Sequence, residues 1–461
     1  MNKILICSIF MLIGLKVCAA LFTNLSLYGD EAQYWIWSQN LDLGYFSKPP
    51  LLAWFLSFHV GIFGDSFFSL KIFPLLIYFF IFFAFYKLCL QLHISKNYSV
   101  LCSISFLLIP AASVSSFLIS TDLLLLLFWI LAITHLLKIR DGGAIIDFFL
   151  LGIFLGLGIL AKYAAVYFLL CLLILLFSDK KILMTLKNHT AKWLLFVLVV
   201  LLVVLPNIYW NIINGWVTLS HTSDNANLQN ININFYEPIK FLVAQIFMIG
   251  PILFFSFFYT SRSFCLDFEN KFLLIFSLPI IIIVLIESFL VRSNANWAAP
   301  ALISLFVLFF RLVVEKKHSL VIINFATNYI VAFFLFISIL ISANYKIFDR
   351  ITGIDDFTKE ILKTVGDKDI VVSDRIIFSS ISFELKDRTN KVYMPYKAGE
   401  TITNHFQMSS PLSQLQQTDF YLIGNQNDIS YVLKENEVNL IKEFSVSFSS
   451  NKLKFYEVNF K

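Results

Sequence analysis

The sequence predicts an α-helical polytopic membrane protein that ends in a small α/β domain. Three observations carry this prediction. Hydrophobic residues make up 58% of the 461-residue chain and charged residues only 14%, with a mean hydropathy of +0.78, far outside the balance of a soluble globular protein. Apolar runs long enough to cross a bilayer recur from the N-terminus to about Ala343. From Asn344 onward, charges return and short β-like runs appear.

Taken in order, the apolar runs place about eleven transmembrane helices near residues 4–23, 67–87, 99–118, 122–138, 146–161, 163–178, 193–213, 238–259, 272–289, 297–313 and 320–342. The first resembles a signal peptide, because Lys3 precedes an apolar run that ends near Ala19 and Ala20. Lys16 interrupts that run, however, so an uncleaved first helix is expected. An amine inside a span snorkels, finds a structural partner or meets a lipid phosphate. Lys87, Lys96, Lys138, Arg140, Lys180, Lys181, Lys187, Lys192, Arg262, Lys271, Arg311, Lys316 and Lys317 fall on one side. The other side has mainly Lys48, Lys71, Lys240 and Arg292. This asymmetry predicts a cytoplasmic N-terminus, an outer first loop at 24–66 and, with an odd number of spans, an outer C-terminal domain at 344–461.

In that domain DIVVSD, NKVYMPY, DFYLIGN and KLKFYEV read as strands, while DDFTKEILKTVG and the stretch near ISFELKDR read as helices. The net charge of +5 comes from basic residues dispersed among loops, which excludes a nucleic-acid-binding face. The six cysteines, Cys7, Cys18, Cys89, Cys102, Cys171 and Cys265, lie in spans or beside the inner face. They imply no disulfide framework and have no zinc-ligand spacing.

The stretch from Tyr28 to Pro50, YGDEAQYWIWSQNLDLGYFSKPP, is the polar and aromatic interruption around which the apolar chain is arranged. Asp30 and Glu31 stand just past the first span, at the start of a short helix, AQYWIWSQN, where acidic residues are favoured. Tyr34, Trp35 and Trp37 suit an interfacial anchor. Lys48 precedes Pro49 and Pro50, and Pro50 starts a further helix, LLAWFLSFHVGIF. A carboxylate at the lipid boundary suits a general base acting on a membrane-held substrate. The competing reading makes Asp30, Glu31 and Lys48 ordinary solvated loop charges.

With GYFSKPPL in the first loop, STDLLLLLFW from Ser120, GLGILAKY from Gly156 and ANWAAPA from Ala295, the membrane part resembles the prokaryotic branch of the protein O-mannosyltransferase superfamily. That branch includes the lipid A aminoarabinose transferases, polytopic enzymes of the GT-C fold. The resemblance implies a membrane glycosyltransferase domain at 1–343 and a periplasmic α/β domain at 344–461. It further implies transfer of a sugar, with inversion, from a polyprenyl-phosphate donor to a periplasmic acceptor at the inner membrane. Lipid A or lipopolysaccharide core is the first acceptor, and protein hydroxyls are the alternative. A lipid-linked sugar transporter or flippase would share the spans but calls for internal repeats or interrupted central helices, and a nonenzymatic anchoring protein would use the bundle only as scaffold. The chain departs from the aminoarabinose enzymes in span count and in DEAQYWIWSQNL, which leaves hexoses, amino sugars and uronic acids open.

By the same resemblance Asp30 orients or deprotonates the acceptor, with Glu31 in support. Lys48, Lys162 and Arg292 hold the departing phosphate, with Tyr45 and Asn296 at the substrate. Asp122 is similar in position to an acid that helps form the substrate pocket in that family, and it sits in a Ser-Thr-Asp sequence that a helix N-cap also explains. Lys162 is otherwise an interfacial snorkelling residue beside Tyr163, and Gly152, Gly156 and Gly158 are spaced for close helix packing. His221, in the polar stretch NGWVTLSHTSDNANLQNININFYEP, is a candidate sugar contact in a mobile loop. No cofactor is called for: the carboxylates have the chemistry of a divalent-cation site, but Lys48 and Arg292 make a metal unnecessary.

Overall fold

A computed structural model describes every residue except 1–2, 226–232, 261–263, 292, 343–344, 398, 415–418, 425, 431–436, 450–451 and 460–461. The chain divides into two compact units. The first comprises Met1–Val17, Lys48–Leu52 and Phe68–Phe336, and the second Cys18–Ser47, Ala53–Phe67 and Ile337–Lys461.

The first unit is helical and polytopic. Among the described residues six helices are long and apolar enough to cross a membrane: Phe67–Gln91, Thr121–Arg140, Thr190–Ile213, Phe268–Leu290, Ala295–Lys316 and His318–Leu340. A seventh crossing is counted when Tyr236–Ile249 and Pro251–Thr260 are taken together. Apolar helices too short for that test, Cys7–Phe22, Ile145–Ala161 and Tyr163–Ser178, cover further expected spans. Some of the expected spans are interrupted, the run at 272–289 among them, into Phe268–Ile275 and Leu278–Leu290. The run at 99–118 is divided into Lys96–Leu108 and Pro110–Ser115, because Pro110 lacks an N–H and holds Ile109 extended (φ −58°, ψ 149°). The run at 238–259 bends by 94° at Gly250.

Close packing follows the glycines. A Cβ at Gly152 would stand 2.8 Å from Val199 Cβ and 2.9 Å from the Phe196 carbonyl, and one at Gly156 would stand 2.8 Å from Val203 Cβ. The Ile145–Ala161 helix therefore lies directly on Thr190–Ile213, as their spacing predicts. Lys16 does not snorkel: it is buried, donates to Ser116 Oγ at 2.7 Å and lies over the Phe336 ring. Lys71, expected in an outer loop, is instead buried within the Phe67–Gln91 helix, its Nζ donating to the Phe117 carbonyl at 3.3 Å.

The second unit contains a five-stranded mixed sheet of β1 (Asp369–Val372), β2 (Val392–Tyr393), β3 (Phe420–Ile423), β4 (Glu437–Phe444) and β5 (Leu453–Asn459). Its order is β2-β1-β3-β5-β4, with β1 parallel to β2 and β3, and β5 antiparallel to β3 and β4. Four strands coincide with the runs read from the sequence. The fifth, β4, carries Glu437, Lys442 and Glu443 and shifts register between Leu440 and Lys442, the charged, irregular character of an edge strand. Helices Ile354–Val365 and Arg375–Glu384 pack on the sheet through Phe357, Ile361, Ile377, Phe378 and Ile381.

The first-loop helix, Gly29–Gln39, is part of this same unit. Trp35 meets Phe383 edge to face at 5.1 Å, and Ile36 packs against the sheet core. Gly29 is required where it is: a Cβ there would overlap the Ile376 side chain. Ser26 N donates to the Ile351 carbonyl at 2.8 Å, and Arg350 donates to the Tyr28 hydroxyl at 3.1 Å.

Candidate functional site

Two clusters of the expected residues form, one in each unit. In the second unit Asp30 and Glu31 occupy the first turn of the Gly29–Gln39 helix and, being adjacent on it, point apart. Glu31 turns inward, is 1% exposed, and accepts from Tyr28 N at 3.0 Å, closing the turn. Asp30 turns outward, and its side chain is 41% exposed. Its Oδ1 accepts from Arg375 Nη1 at 2.9 Å, and the same nitrogen donates to Gln33 Oε1 at 2.7 Å. Gln33 is buried, three residues after Asp30. Arg375 opens the Arg375–Glu384 helix, whose end is fixed by Asp374 Oδ1 accepting from Ile376 N at 2.8 Å and Ile377 N at 3.0 Å.

Tyr45 is buried and stacked on Trp37, ring centroids 4.4 Å apart and planes 7° from parallel. Its hydroxyl donates to the Trp37 carbonyl at 3.0 Å and accepts from Asp42 N at 3.2 Å. Burial pushes the phenol up to about 12, so it stays a neutral donor that ties the end of the helix to the chain that follows it. His405 meets the edges of Trp37 and Tyr45 at 5.4 and 5.7 Å.

In the first unit Asp122, Lys162 and Asn296 come together from three segment ends. Asp122 is the second residue of Thr121–Arg140, Lys162 is the extended residue (φ −158°, ψ 130°) after Ile145–Ala161, and Asn296 lies in the short turn Ala295–Ala298. Lys162 Nζ donates to Asp122 Oδ1 at 2.7 Å, and Asn296 Nδ2 donates to Oδ2 at 2.9 Å. Gln245 Nε2 steadies the turn by donating to the Ala295 carbonyl at 2.9 Å. Ser120 makes no side-chain cap. Asp122 and Asn296, with Ser120 and Tyr78, line a cavity of about 600 Å³ whose other walls include Phe106, Leu126, Phe247 and Leu302. Tyr163 donates to Asn207 Oδ1 at 2.8 Å and accepts from Asn211 Nδ2 at 3.2 Å, with both asparagines buried.

Lys48 is half-buried in the first unit. His221 is also half-buried there, on a helix, Val217–Asn225, where a mobile loop was expected. Arg292 lies outside the described residues. Among the described residues no group of three or more His, Cys, Asp or Glu is placed to hold a metal ion. Sequence reasoning missed Arg375, Gln33 and Gln245. Arg375 is 345 residues from its partner, and its local signal, a strand followed by Ser-Asp, announces only a helix start.

Residues 47–210 match the model of the dolichyl-phosphate-mannose-protein mannosyltransferase family. That match lies within the membrane part of the chain, which is thus similar to the protein O-mannosyltransferases over this stretch. The resemblance carried by GYFSKPPL, STDLLLLLFW and GLGILAKY is thereby borne out, and the family match spans Lys48, Asp122 and Lys162. The chain is 26% identical over 396 residues to the lipid A galacturonosyltransferase RgtD of Rhizobium johnstonii, covering 82% of each protein. Its fold is that of ArnT from Cupriavidus metallidurans. The undecaprenyl-phosphate-bound crystal structure superposes with a TM-score of 0.72 at 11% identity, covering 98% of this chain and 97% of the other. The apo structure gives 0.67 over the same extent.

Proposed function

We propose that this protein is an inner-membrane glycosyltransferase that moves a uronic acid from a polyprenyl-phosphate carrier to lipid A, with inversion at the anomeric carbon. The observation that carries the proposal is the likeness to a lipid A galacturonosyltransferase along 82% of both chains. The ArnT fold, seen in a structure bound to undecaprenyl phosphate, supports a lipid-phosphate donor. The proposal includes the eleven-span topology, with the short apolar helices and the bent pair as crossings, the N-terminus in the cytoplasm, and the first loop and the 344–461 domain in the periplasm.

In this mechanism the bond between the anomeric carbon and the carrier phosphate breaks as the acceptor oxygen bonds to the opposite face. Asp30 accepts the proton of an acceptor hydroxyl, or orients an acceptor that is already a phosphate. One of its oxygens is held by Arg375, and the other has no hydrogen bond among the described residues, so it is open to the acceptor. Glu31 supports Asp30 by closing the turn that carries it. Lys48, Lys162 and Arg292 stabilise the charge on the departing phosphate, while Asp122 and Asn296 aim Lys162. His221 completes the substrate contacts, whereas Tyr45, buried and bonded to the Trp37 carbonyl, holds the helix that carries Asp30 rather than touching substrate. Protein hydroxyls as acceptors and a flippase activity are the readings that the lipid A relative disfavours.

Mass spectrometry of lipid A and core from a deletion strain tests this. Loss of a galacturonic acid residue on deletion, restored by the wild-type gene and not by Asp30→Asn, is the expected result. An unchanged lipid profile refutes the acceptor, and restoration by Asp30→Asn removes Asp30 from the chemistry.

A further inference from the structure

We infer that Arg375, supplied by the C-terminal sheet domain, is the positioning residue for Asp30, so that this domain completes the active site. The inference rests on the reading of Asp30 as the group that meets the acceptor. Its basis is a three-member relay. Gln33 is 4% exposed, and its Oε1 holds Arg375 Nη1 at 2.7 Å; that same nitrogen holds Asp30 Oδ1 at 2.9 Å.

Gln33 and Asp30 share one face of the Gly29–Gln39 helix, and Arg375 approaches them from the first residue of its own helix. Both helices are locked at this point. The bare Cα of Gly29 admits Ile376, the residue after Arg375, and Asp374 fixes the backbone on the other side. The guanidinium is therefore aimed by its framework.

Magnitude decides what this aim is for. With side chains 42% and 41% exposed, the Arg375–Asp30 pair is a surface ion pair that adds little to stability. What the pair does is direction: with Oδ1 fixed, the carboxylate plane and the line of approach to Oδ2 are fixed. Misplacing a reacting group by about 1 Å costs on the order of a hundredfold in rate. Arg375 thus acts on turnover through Asp30, and Gln33 acts only through Arg375.

The test uses the full chain in detergent, with undecaprenyl-phosphate-linked galacturonic acid as donor and purified lipid A as acceptor. Arg375→Ala is expected to lower kcat by about tenfold to a hundredfold while leaving the donor KM and the unfolding temperature near those of the wild type. Arg375→Lys keeps the charge without the planar fork and should fall between the two. Gln33→Met, which keeps the side-chain length but removes the acceptor, should lower kcat in the wild-type background and change nothing further beside Arg375→Ala. Wild-type kcat in Arg375→Ala overturns the inference. So does a loss that multiplies with Gln33→Met or tracks a lowered unfolding temperature. Asp30→Asn separates the two layers: if it is inactive while Arg375→Ala is not, only the relay fails, and if it is fully active, the role of Asp30 fails as well.

Discussion

Asp122 gives one carboxylate oxygen to Lys162 and the other to Asn296, so at rest the cation proposed for the donor phosphate is already neutralised. Both charged side chains are only 13% exposed, and removing one partner leaves the other charge poorly solvated. Lys162→Met is accordingly expected to destabilise the protein by about 3 kcal/mol and to abolish transfer. Adding Asp122→Asn should return most of the stability and none of the activity, read as unfolding temperature in detergent beside a transfer assay. Recovery of both would make the pair purely structural. Asp122 and Lys162 were legible in the sequence because each is a charge at the end of an apolar run, where hydropathy alone marks it. Arg375 was not, because nothing local distinguishes an arginine at a helix start from any other.

At the scale of elements, every expected apolar run overlies helix, and the differences lie in where helices break. Proline alone does not decide this: Pro206 sits inside the continuous Thr190–Ile213 helix, whereas Gly250-Pro251 marks a 94° bend. Gly250 takes φ +103°, a conformation that side chains resist. Its surroundings are prepared for the bend, because Asn324 Oδ1 accepts from Leu253 N at 3.2 Å, satisfying an N–H freed by the break. A Cβ at 250 would stand 3.1 Å from the amide of Asn328 and 3.2 Å from Asn324 Oδ1. Gly250→Ala should therefore cost about 1–3 kcal/mol from strained backbone and crowding together, measured by unfolding in detergent. A neutral result would mean that the bend relaxes without penalty. The glycine-proline signal was present in the sequence, but the uninterrupted apolar character of 238–259 outweighed it.

For the whole molecule, the instructive feature is that the second compact unit is not the C-terminal segment alone; it takes in Cys18–Ser47 and Ala53–Phe67. Composition marks the return of charge near Asn344 and cannot show that a helix 300 residues earlier belongs to the same body. His405 reports on this assembly. Its Nδ1 is sealed without a hydrogen-bond partner among the described residues, beside Trp37 and Tyr45, and burial lowers its pKa from 6.5 to about 4. Unfolded, the imidazole binds a proton below about 6.5, and in the folded unit it does not until about 4. The unfolded state therefore gains protons first, and the unit loses stability as pH falls through this window, by about 3 kcal/mol at most. His405→Leu should flatten that slope in unfolding measured from pH 7 to pH 4. A fragment of 344–461 lacks Trp35, Trp37 and Tyr45 and should be less stable by on the order of 5 kcal/mol. Its His405, freed of its cover, should titrate near 6.5 by NMR; adding a peptide of residues 28–47 should lower that value again. A fragment that kept both its stability and a depressed His405 would show that the first loop adds nothing to this unit.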